Sequence, residues 1–577
     1  MHNLHPGLIL ILSGLISFVI PHKSVRNWAA LAGAIIAMAA MILLGGGGME
    51  YGFTPSLTFE LLAVDRLSKT FGLIFCVIGV IAAIYSMDTG SRGEKCAAQI
   101  YTGSSLGVVF AGDWISLICF WEVMAVASWY LVLAGGTHQA RRASYRYLAM
   151  HFFGGNLLLA GVIWICSQGS FEVSLLTDSF SGGYWLILLG FAVNGAIPPL
   201  HTWVADAYPE STPSGTVYMG SYTTKVAVYA LIRVFAGTEE FVLIGGIMAV
   251  LAACMALVEN DLRRLLSYHI ISQLGMMIAA LGTGSHVGID GASLHAAYNI
   301  LYKGVLLMAA GVVITATGKR KISELGGLAK KMPLTAVCFL FASLAIAGMP
   351  FLNGFASKAL IMESLREYPI GYWLVMLAGV GTWLSITLKI NYFVFFGKTS
   401  KEVICGKTPV HMQAAMAIGA ILCILTGVFP NIGYSLTPFS SMVHLFSIDH
   451  ILEYVGLFIG ATVPFVMLLP MMAPHDMLSL DFDWAYRRLI PKALVWLSKL
   501  ICRVFDCSQV FFDRTVLVCR HVALHPLRAL SNVQDLKDMK ENEDAGAFEG
   551  EMPVGIFMLT FLSFCIVAFL VIAILEQ

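Results

Sequence analysis

The sequence predicts an all-α polytopic membrane protein with about 14 core transmembrane helices, an amphipathic C-terminal segment and a final transmembrane helix. Hydrophobic residues make up 58% of the 577 residues and charged residues only 12%, whereas a water-soluble domain carries about 25% charge. Apolar runs recur from residue 7 to about residue 472, separated by short polar links. Two runs are interrupted by glycine and proline in a similar way, which predicts two inverted repeats with broken helices.

Changes in composition divide the chain into five parts. They are N-terminal transmembrane helices at 1–60, a core at 61–400, further core helices at 401–480, an amphipathic lateral segment at 481–530, and an acidic tether with the terminal helix at 531–577. The lateral segment mixes apolar and basic residues at helical spacing, which is typical of a helix lying along the membrane surface. Pro491 and Pro526 predict that this segment is broken. We expect it to serve assembly more than conduction.

The two interrupted runs are GFAVNGAIPPLHTWVADAYPESTPSGT at 190–216 and SLAIAGMPFLNGFASKALIMESL at 343–365. Proline removes a helical hydrogen bond and glycine adds conformational freedom, so each run predicts a broken helix. Paired breaks in corresponding halves are typical of transporters that bind ions at the breaks. Two ordinary loops between helices are the alternative.

Two charged residues lie in the middle of apolar runs, Glu122 in ISLICFWEVMAVASWYLVLAG and Lys225 in GTVYMGSYTTKVAVYALIRVF. An ionised side chain in hydrocarbon costs at least several kcal/mol, so both residues are predicted to face the bundle interior. Their presence in two separate segments indicates an ion pathway rather than a membrane anchor.

Other classes of function lack their sequence signals. The 12 cysteines are scattered and form no C-x-x-C pair, so neither a metal site nor an iron–sulfur cluster is predicted. No G-x-G-x-x-G turn followed by an acidic residue predicts a dinucleotide cofactor. The net charge of zero gives no nucleic-acid footprint. We therefore expect no cofactor and no catalytic site within this chain, and any redox chemistry would belong to other subunits.

Five motifs then occur in order between about residues 60 and 400. They are FWEVMAVASWYLV, IPPLHTWVADAYPESTPSGTV with Lys225 behind it, ENDLRRLLSYHIISQLGMM, LHAAYNILYKGVLLMAAG and GMPFLNGFASKALI. This set resembles the antiporter-like subunits of respiratory complex I, the Mrp-type monovalent cation/proton antiporters and the membrane-bound hydrogenases. The resemblance implies that residues 61–400 form an antiporter-like, proton-translocating core.

The resemblance implies ion-path roles for individual residues. Glu122 matches the buried glutamate of the family's fifth helix, and Lys225 matches the lysine with which it pairs. His295 matches the first histidine of a His-x-x-x-His pattern, and Lys303 matches the lysine that follows the pattern, although it could instead snorkel or anchor a helix. Lys358 matches the titratable residue at the second helix break.

Two positions depart from the family pattern. Arg263 stands where lysine is usual, and arginine does not release its proton. Asn299 occupies the place of the second histidine and does not titrate. Either His295, Lys303 and ordered water carry this section of the path, or the connection is weaker than in relatives.

Two further histidines leave alternatives open. His201, in PPLHTW at the first break, could be a path residue or a helix-terminus residue. His269 and Asp261 are predicted to lie near a loop and to orient Arg263 and Arg264 rather than to conduct.

The leading interpretation is a proton or sodium/proton translocating component of a multi-subunit complex, similar to the D-type membrane component of the Mrp antiporters. The first alternative is an ion-pumping membrane subunit of a complex I-like NADH-quinone oxidoreductase or of a membrane-bound hydrogenase. The second is a scaffold subunit whose ion path has decayed, which Arg263 and Asn299 keep open. The expected partners are other membrane subunits, protons and sodium. The expected location is a bacterial or archaeal inner membrane, crossed many times.

Overall fold

The computed structural model describes most of the chain. The described residues are 4–46, 48–54, 57–397, 403–475, 481–482, 484, 488–489, 492–503 and 506. They fall into two units, Met1–Ala485 and Tyr486–Gln577. Most of the predicted lateral segment, and all of the acidic tether and terminal helix at 531–577, lie outside the described residues. In the second unit, residues 492–503 are helical, consistent with the helical spacing of the sequence there.

Helices form most of the first unit. In the first half they are α1 (Pro6–Val19), α2 (Lys23–Leu43), α3 (Arg66–Tyr85), α4 (Arg92–Phe110), α5 (Trp114–Leu133), α6 (His138–Ser167), α7 (Gly182–Asn194), α8 (Thr202–Ala207), α9 (Pro213–Ser221) and α10 (Thr223–Phe235). In the second half they are α11 (Glu240–Val258), α12 (Leu262–Gly282), α13 (His286–Thr317), α14 (Pro333–Ala347), α15 (Asn353–Ser364), α16 (Pro369–Thr382), α17 (Val410–Val428), α18 (Pro430–Tyr434) and α19 (Ile448–Met467). Single 3-10 turns lie at Tyr208–Glu210, Ile322–Glu324 and Leu328–Lys330.

Side-chain caps fix where several helices begin. Asp113 Oδ1 accepts from the Ser116 amide at 2.7 Å ahead of α5, and Asp261 Oδ1 accepts from the amides of Arg263 and Arg264 at 3.0 Å ahead of α12. Each carboxylate satisfies amide groups that have no partner within the helix. Asp261, which was predicted to lie near a loop, therefore caps the N-terminus of α12.

Nine of the described helices are long and apolar enough to cross a membrane. This confirms the prediction of a polytopic helical membrane protein, while the count of about 14 spans stays a prediction. α12 is central, because every residue of its apolar stretch is buried. α13 packs against α12, α9, α14, α15 and α17. His269, His295 and Lys303 are buried ionisable residues on these two helices.

The helices are interrupted at both predicted places. α7 ends at Asn194 and α8 begins at Thr202, after Pro198 and Pro199. α14 ends at Ala347, Gly348 takes a left-handed conformation with φ 93°, and α15 begins at Asn353. A side chain with a Cβ disfavours that conformation, so glycine suits the break.

Two other irregularities were not predicted. α9 and α10 are separated by a single residue, Tyr222, whose backbone leaves the helical range (φ −111°, ψ −74°). α16 continues into a π-helix at Trp383–Phe396. Such wider turns are rare and occur at functional positions.

A short hairpin accompanies the helices. Strand β1 (Met49–Thr54) pairs antiparallel with β2 (Leu57–Leu62). The hairpin is tied to the start of α5, because the Glu60 amide donates to Asp113 Oδ2 at 2.8 Å and the Gly112 amide donates to Glu60 O at 2.9 Å. The sequence analysis did not predict this element.

Candidate ion-translocation site

Glu122 lies on α5 against α6. Gly155 of α6 makes room for it, since a Cβ at Gly155 would lie 2.0 Å from Glu122 Oε1. The side chain is half-buried. Among the described residues, no lysine, arginine or histidine forms an ion pair with this carboxylate.

Lys225 is fully buried three residues after the interruption at Tyr222. Its Nζ donates to Gly220 O at 2.8 Å and to Thr224 Oγ1 at 3.4 Å. The ammonium group is therefore held by a backbone carbonyl at the C-terminal end of α9. The predicted ion pair between Glu122 and Lys225 is not formed in this conformation, because the carbonyl of the interrupted helix takes the place of the carboxylate.

Lys358 lies on α15 and repeats this arrangement at the second break. Its Nζ donates to Ile346 O at 2.7 Å and to Ala347 O at 3.1 Å, both in the last turn of α14. The last carbonyls of a helix have no partner within it and carry a partial negative charge. A broken helix thus supplies the lysine with acceptors inside the bundle.

Lys303 lies on α13 between these two positions. It is fully buried, and its Nζ donates to Leu266 O of α12 at 3.2 Å. A snorkelling lysine would place its ammonium group in water, so the structure excludes that alternative.

His295 is the centre of a buried hydrogen-bond network. Its Nδ1 lies 2.8 Å from Ser357 Oγ, and its Nε2 lies 3.1 Å from Gln273 Oε1. Tyr302 OH is 3.4 Å from the same Nε2 and accepts from Asn299 Nδ2 at 3.2 Å. The network joins α12, α13 and α15, and Ser357 directly precedes Lys358.

The side chains of Gln273, Tyr302 and Ser357 were missed by the sequence analysis. Each is a polar residue inside an apolar run, and all three stand within the quoted motifs. Their position could have signalled a role, although only the packing of three helices shows that they meet. Asn299 keeps its place in the network as a hydrogen-bond donor, although it does not titrate.

Arg263 and His201 lie at helix ends, away from the His295 network. Arg263 Nη1 donates to Ser211 O at 2.7 Å and to Pro209 O at 3.3 Å, which braces the segment leading into α9. His201 Nε2 lies 3.2 Å from Asp481 Oδ1 just before α8. His201 therefore lies at a helix terminus, as one of the two alternatives expected. Its role in the ion path stays a prediction.

Asp481 is held by two groups of the core. Its Oδ1 faces His201, and its Oδ2 accepts from Tyr268 OH at 2.8 Å. Burial acts to raise the pKa of this carboxyl, but the hydrogen bonds from His201 and Tyr268, with the His201 charge, outweigh burial and lower the pKa below its ordinary value. Asp481 is therefore ionised at neutral pH.

The predicted loop role of His269 is wrong. His269 is fully buried within α12, and its Nε2 lies 2.6 Å from Ser385 Oγ of the π-helix. Arg264 instead pairs with Glu259, with its Nε 3.3 Å from Oε2. Because α12 begins directly after Asp261, His269 lies two turns along the helix and inside the bundle rather than in a loop.

His151 of α6 is another buried histidine, and the sequence analysis did not single it out. It lies one turn before Gly155, the residue that contacts Glu122. Asn194, at the end of α7, lies beside it, yet none of the polar side-chain atoms of either residue makes a hydrogen bond of normal geometry with a described protein group. Buried polar atoms in this state are places where ordered water binds. Polar groups therefore continue from Glu122 toward the first break.

Comparison with known proteins identifies the family. The family profile described as NADH:quinone oxidoreductase/Mrp antiporter, transmembrane, matches residues 111–385. A Na(+)/H(+) antiporter component from Alkalihalophilus pseudofirmus, the D-type member of its complex, is 30% identical over 363 residues, which are 58% of this chain and 73% of that relative. This chain belongs to the NADH:quinone oxidoreductase/Mrp antiporter family. All the predicted path residues, from Glu122 to Lys358, lie within the matched range.

Solved structures show the same fold. A chain of the membrane-bound sulfane sulfur reductase, an archaeal respiratory membrane complex, aligns with a TM-score of 0.69 and 23% identity over 98% of this chain and 99% of that chain. A chain of the Mrp complex from Dietzia sp. aligns with a TM-score of 0.65 and 19% identity over 78% of this chain and 95% of that chain. The family and the nine span-length helices confirm an integral, multi-pass membrane protein.

Proposed function

We propose that this protein carries protons across the membrane through its buried lysines and His295. The supporting observation is that Lys225, Lys303 and Lys358 lie in the interior with backbone carbonyls as acceptors and, among the described residues, without ion-pair partners. A charge in such a place is costly, and lysine, unlike arginine, can shed it by releasing a proton. His295 then offers two ring nitrogens between Lys225 and Lys358, both of whose charges act on it.

The chemistry of this row favours protons over sodium. We define the buried row as Lys225, Lys303, His295 and Lys358. All four of its members are cations when protonated, and they would then repel a sodium ion. A hard metal cation also binds through oxygen ligands, whereas the row presents nitrogen donors. Any sodium transport by the assembled complex would therefore use a different route.

The same proposal covers the assembly. The relative from Alkalihalophilus pseudofirmus is named as part of a Na(+)/H(+) antiporter, and the Dietzia structure is of an Mrp complex. We place this chain as a D-type component that works with other membrane subunits in a cation/proton antiporter.

A redox-driven complex is the second candidate. The sulfane sulfur reductase chain aligns with 98% of this chain, whereas the Mrp chain aligns with 78%. The alignment with the chain of the respiratory complex therefore extends over more of this sequence than the Mrp alignment does. In that setting the chain would supply the proton path, and other subunits would supply the electron transfer.

The test is proton flux in vesicles that contain the fully assembled complex. Glu122→Gln should reduce flux by at least about tenfold, because it removes the titrating carboxylate that lies within the bundle between α5 and α6. Glu363→Gln is a matched control, since Glu363 pairs with Arg366 on the surface at 2.8 Å. Wild-type flux in an assembled Glu122→Gln complex would contradict the proposal and favour the scaffold interpretation.

A further inference from the structure

α12 faces the α16 helix and its π-helical continuation through two polar contacts one turn apart. Gln273 Nε2 donates to Thr382 Oγ1 at 3.5 Å, and His269 Nε2 lies 2.6 Å from Ser385 Oγ. Gln273 also accepts from His295, so the first contact begins at the buried row. The second contact lies one turn closer to the N-terminus of α12, where the helix meets the surface.

The π-helix carries a further buried polar residue, Lys389. It lies four residues after Ser385, close to one turn of the wider π-helix, and only 2% of it is exposed. Its Nζ donates to Leu257 O at 2.6 Å and to Glu259 O at 2.8 Å, at the C-terminal end of α11. The Glu259 carboxylate acts on this ammonium group. Lys389 thus contacts the charged segment at 259–261, which joins α11 to α12.

His269 occupies the junction between the row and Lys389. The ammonium groups of Lys303, Lys358 and Lys389 all act on its ring, from α13, α15 and the π-helix. Its Nε2 contacts Ser385, while its Nδ1 is buried without a partner among the described protein groups. A ring with one bonded and one free nitrogen can accept a proton on one side and release one on the other.

We propose that His269, Ser385 and Lys389 form a branch that connects the buried row to the aqueous surface beside Glu259. This inference rests on the proposed proton translocation and adds the route by which protons reach one side of the membrane. A proton that arrives at one ring nitrogen of His269 is matched by one that leaves the other, so no further reactant is needed. Lys389 and Glu259 form the outer end of the branch.

A purely structural role is the competing explanation. Lys389 would then only cap the carbonyls of α11, and Ser385 would only fasten the π-helix to α12. Thiol labelling separates the two explanations. Ser385→Cys should react with a membrane-impermeant thiol reagent from the side of the 259–261 segment, at least about tenfold faster than Ser343→Cys. Ser343 is an equally buried serine that contacts Asn391 of the π-helix instead.

Labelling is measured in membranes that contain the full complex and is counted above that of the parent chain. Equal reaction of the two cysteines, or no reaction of Ser385→Cys from either side, would overturn the branch. Reaction from the opposite side would overturn the assigned direction and with it the role of Glu259.

Flux measurements give an independent test. Lys389→Arg keeps a cation on the α11 carbonyls but cannot release its proton, so flux should fall by at least about tenfold while assembly is unchanged. His269→Gln should have a similar effect. Full flux in both variants, with Glu122→Gln inactive, would remove the branch and leave the proposed function standing. Full flux in Glu122→Gln as well would remove the proposed function itself.

Discussion

Lys225, Lys358 and Lys389 are each held by the C-terminal end of a helix. Lys225 faces the end of α9, Lys358 the end of α14 and Lys389 the end of α11. A helix end carries roughly half a negative charge, so it stabilises an ammonium group without being an ion-pair partner. The same geometry recurs although the three local sequences share no motif.

We expect Lys225→Ala to impair translocation and Lys225→Arg not to restore it. Arginine keeps the positive charge at the end of α9 but does not give up its proton. The measurement is proton flux in vesicles, with the amount of assembled complex determined in parallel. Full activity of the arginine variant would show that only a fixed charge is needed at this position.

Lys358→Ala should also impair translocation, and a measurement of stability separates a path role from a structural role. Removing the ammonium group leaves the carbonyls of Ile346 and Ala347 without a side-chain donor. We therefore expect lower thermal stability of the complex, by about 1–3 kcal/mol, together with the loss of flux. Unchanged flux with reduced stability would make Lys358 a structural brace.

The sequence indicated the candidate path residues more clearly than it indicated the groups that accept their hydrogen bonds. A charge inside an apolar run is visible in the sequence, so Glu122 and Lys225 were singled out, whereas Lys358 followed from the family resemblance. The acceptors are backbone carbonyls from other parts of the chain, and no residue type marks them. His269 was assigned to a loop because Asp261 and Arg263 precede it, whereas the cap at Asp261 starts a helix that carries it inward.

At the scale of elements, α5 and α6 approach closely where Glu122 meets Gly155. A methyl group at position 155 would overlap Glu122 Oε1. We expect Gly155→Ala to displace the carboxylate and to lower flux, with a packing cost of about 1–3 kcal/mol.

Gly154→Ala is the matched control. Its Cβ would meet Val193 Cβ at 2.9 Å and would leave the carboxylate untouched. Both variants should lose a similar amount of stability in thermal unfolding, but only Gly155→Ala should lose flux. An equal loss of flux in the two would show that general packing of α6 is responsible.

The breaks at 190–216 and 343–365 were predictable because proline and glycine mark them. The interruption at Tyr222 was not, since tyrosine carries no such signal and the break depends on how α9 packs against α13. The π-helix at Trp383–Phe396 could not be predicted from the sequence either. Its composition is that of an ordinary apolar helix, and its wider turns follow from tertiary contacts.

At the scale of the whole molecule, Asp481 anchors the point from which the C-terminal part continues. Phe482 packs edge-on against the His201 ring, with centroids 5.8 Å apart. Because the pKa of Asp481 is lowered, its contribution to stability is full above the ordinary carboxyl pKa of about 4 and is lost as the pH falls through its lower folded value. Asp481 is thus a fixed anchor at neutral pH.

Deletion of residues 481–577 should release partner subunits while the row of lysines stays folded. The reason is that the predicted lateral segment serves assembly, and its anchor at Asp481 would be removed with it. Co-purification of partner subunits is the measurement. Asp481→Asn is the milder variant and should weaken retention only in part. Retention of a fully assembled complex by the truncated chain would refute the bracing role.

A helix end differs from a carboxylate in one respect that matters for a transporter: it can never take up a proton. On the proposed function, Lys225 or Lys358 would leave no unpaired anion on releasing its proton, and the freed carbonyl would need only a water molecule. The charged and neutral forms of these two positions would then differ little in unsatisfied hydrogen bonds. A membrane voltage of 100 mV, which supplies about 2.3 kcal/mol for each charge that crosses, would be enough to select between them. Broken helices would thus make these two positions responsive to voltage without a second titrating group beside each.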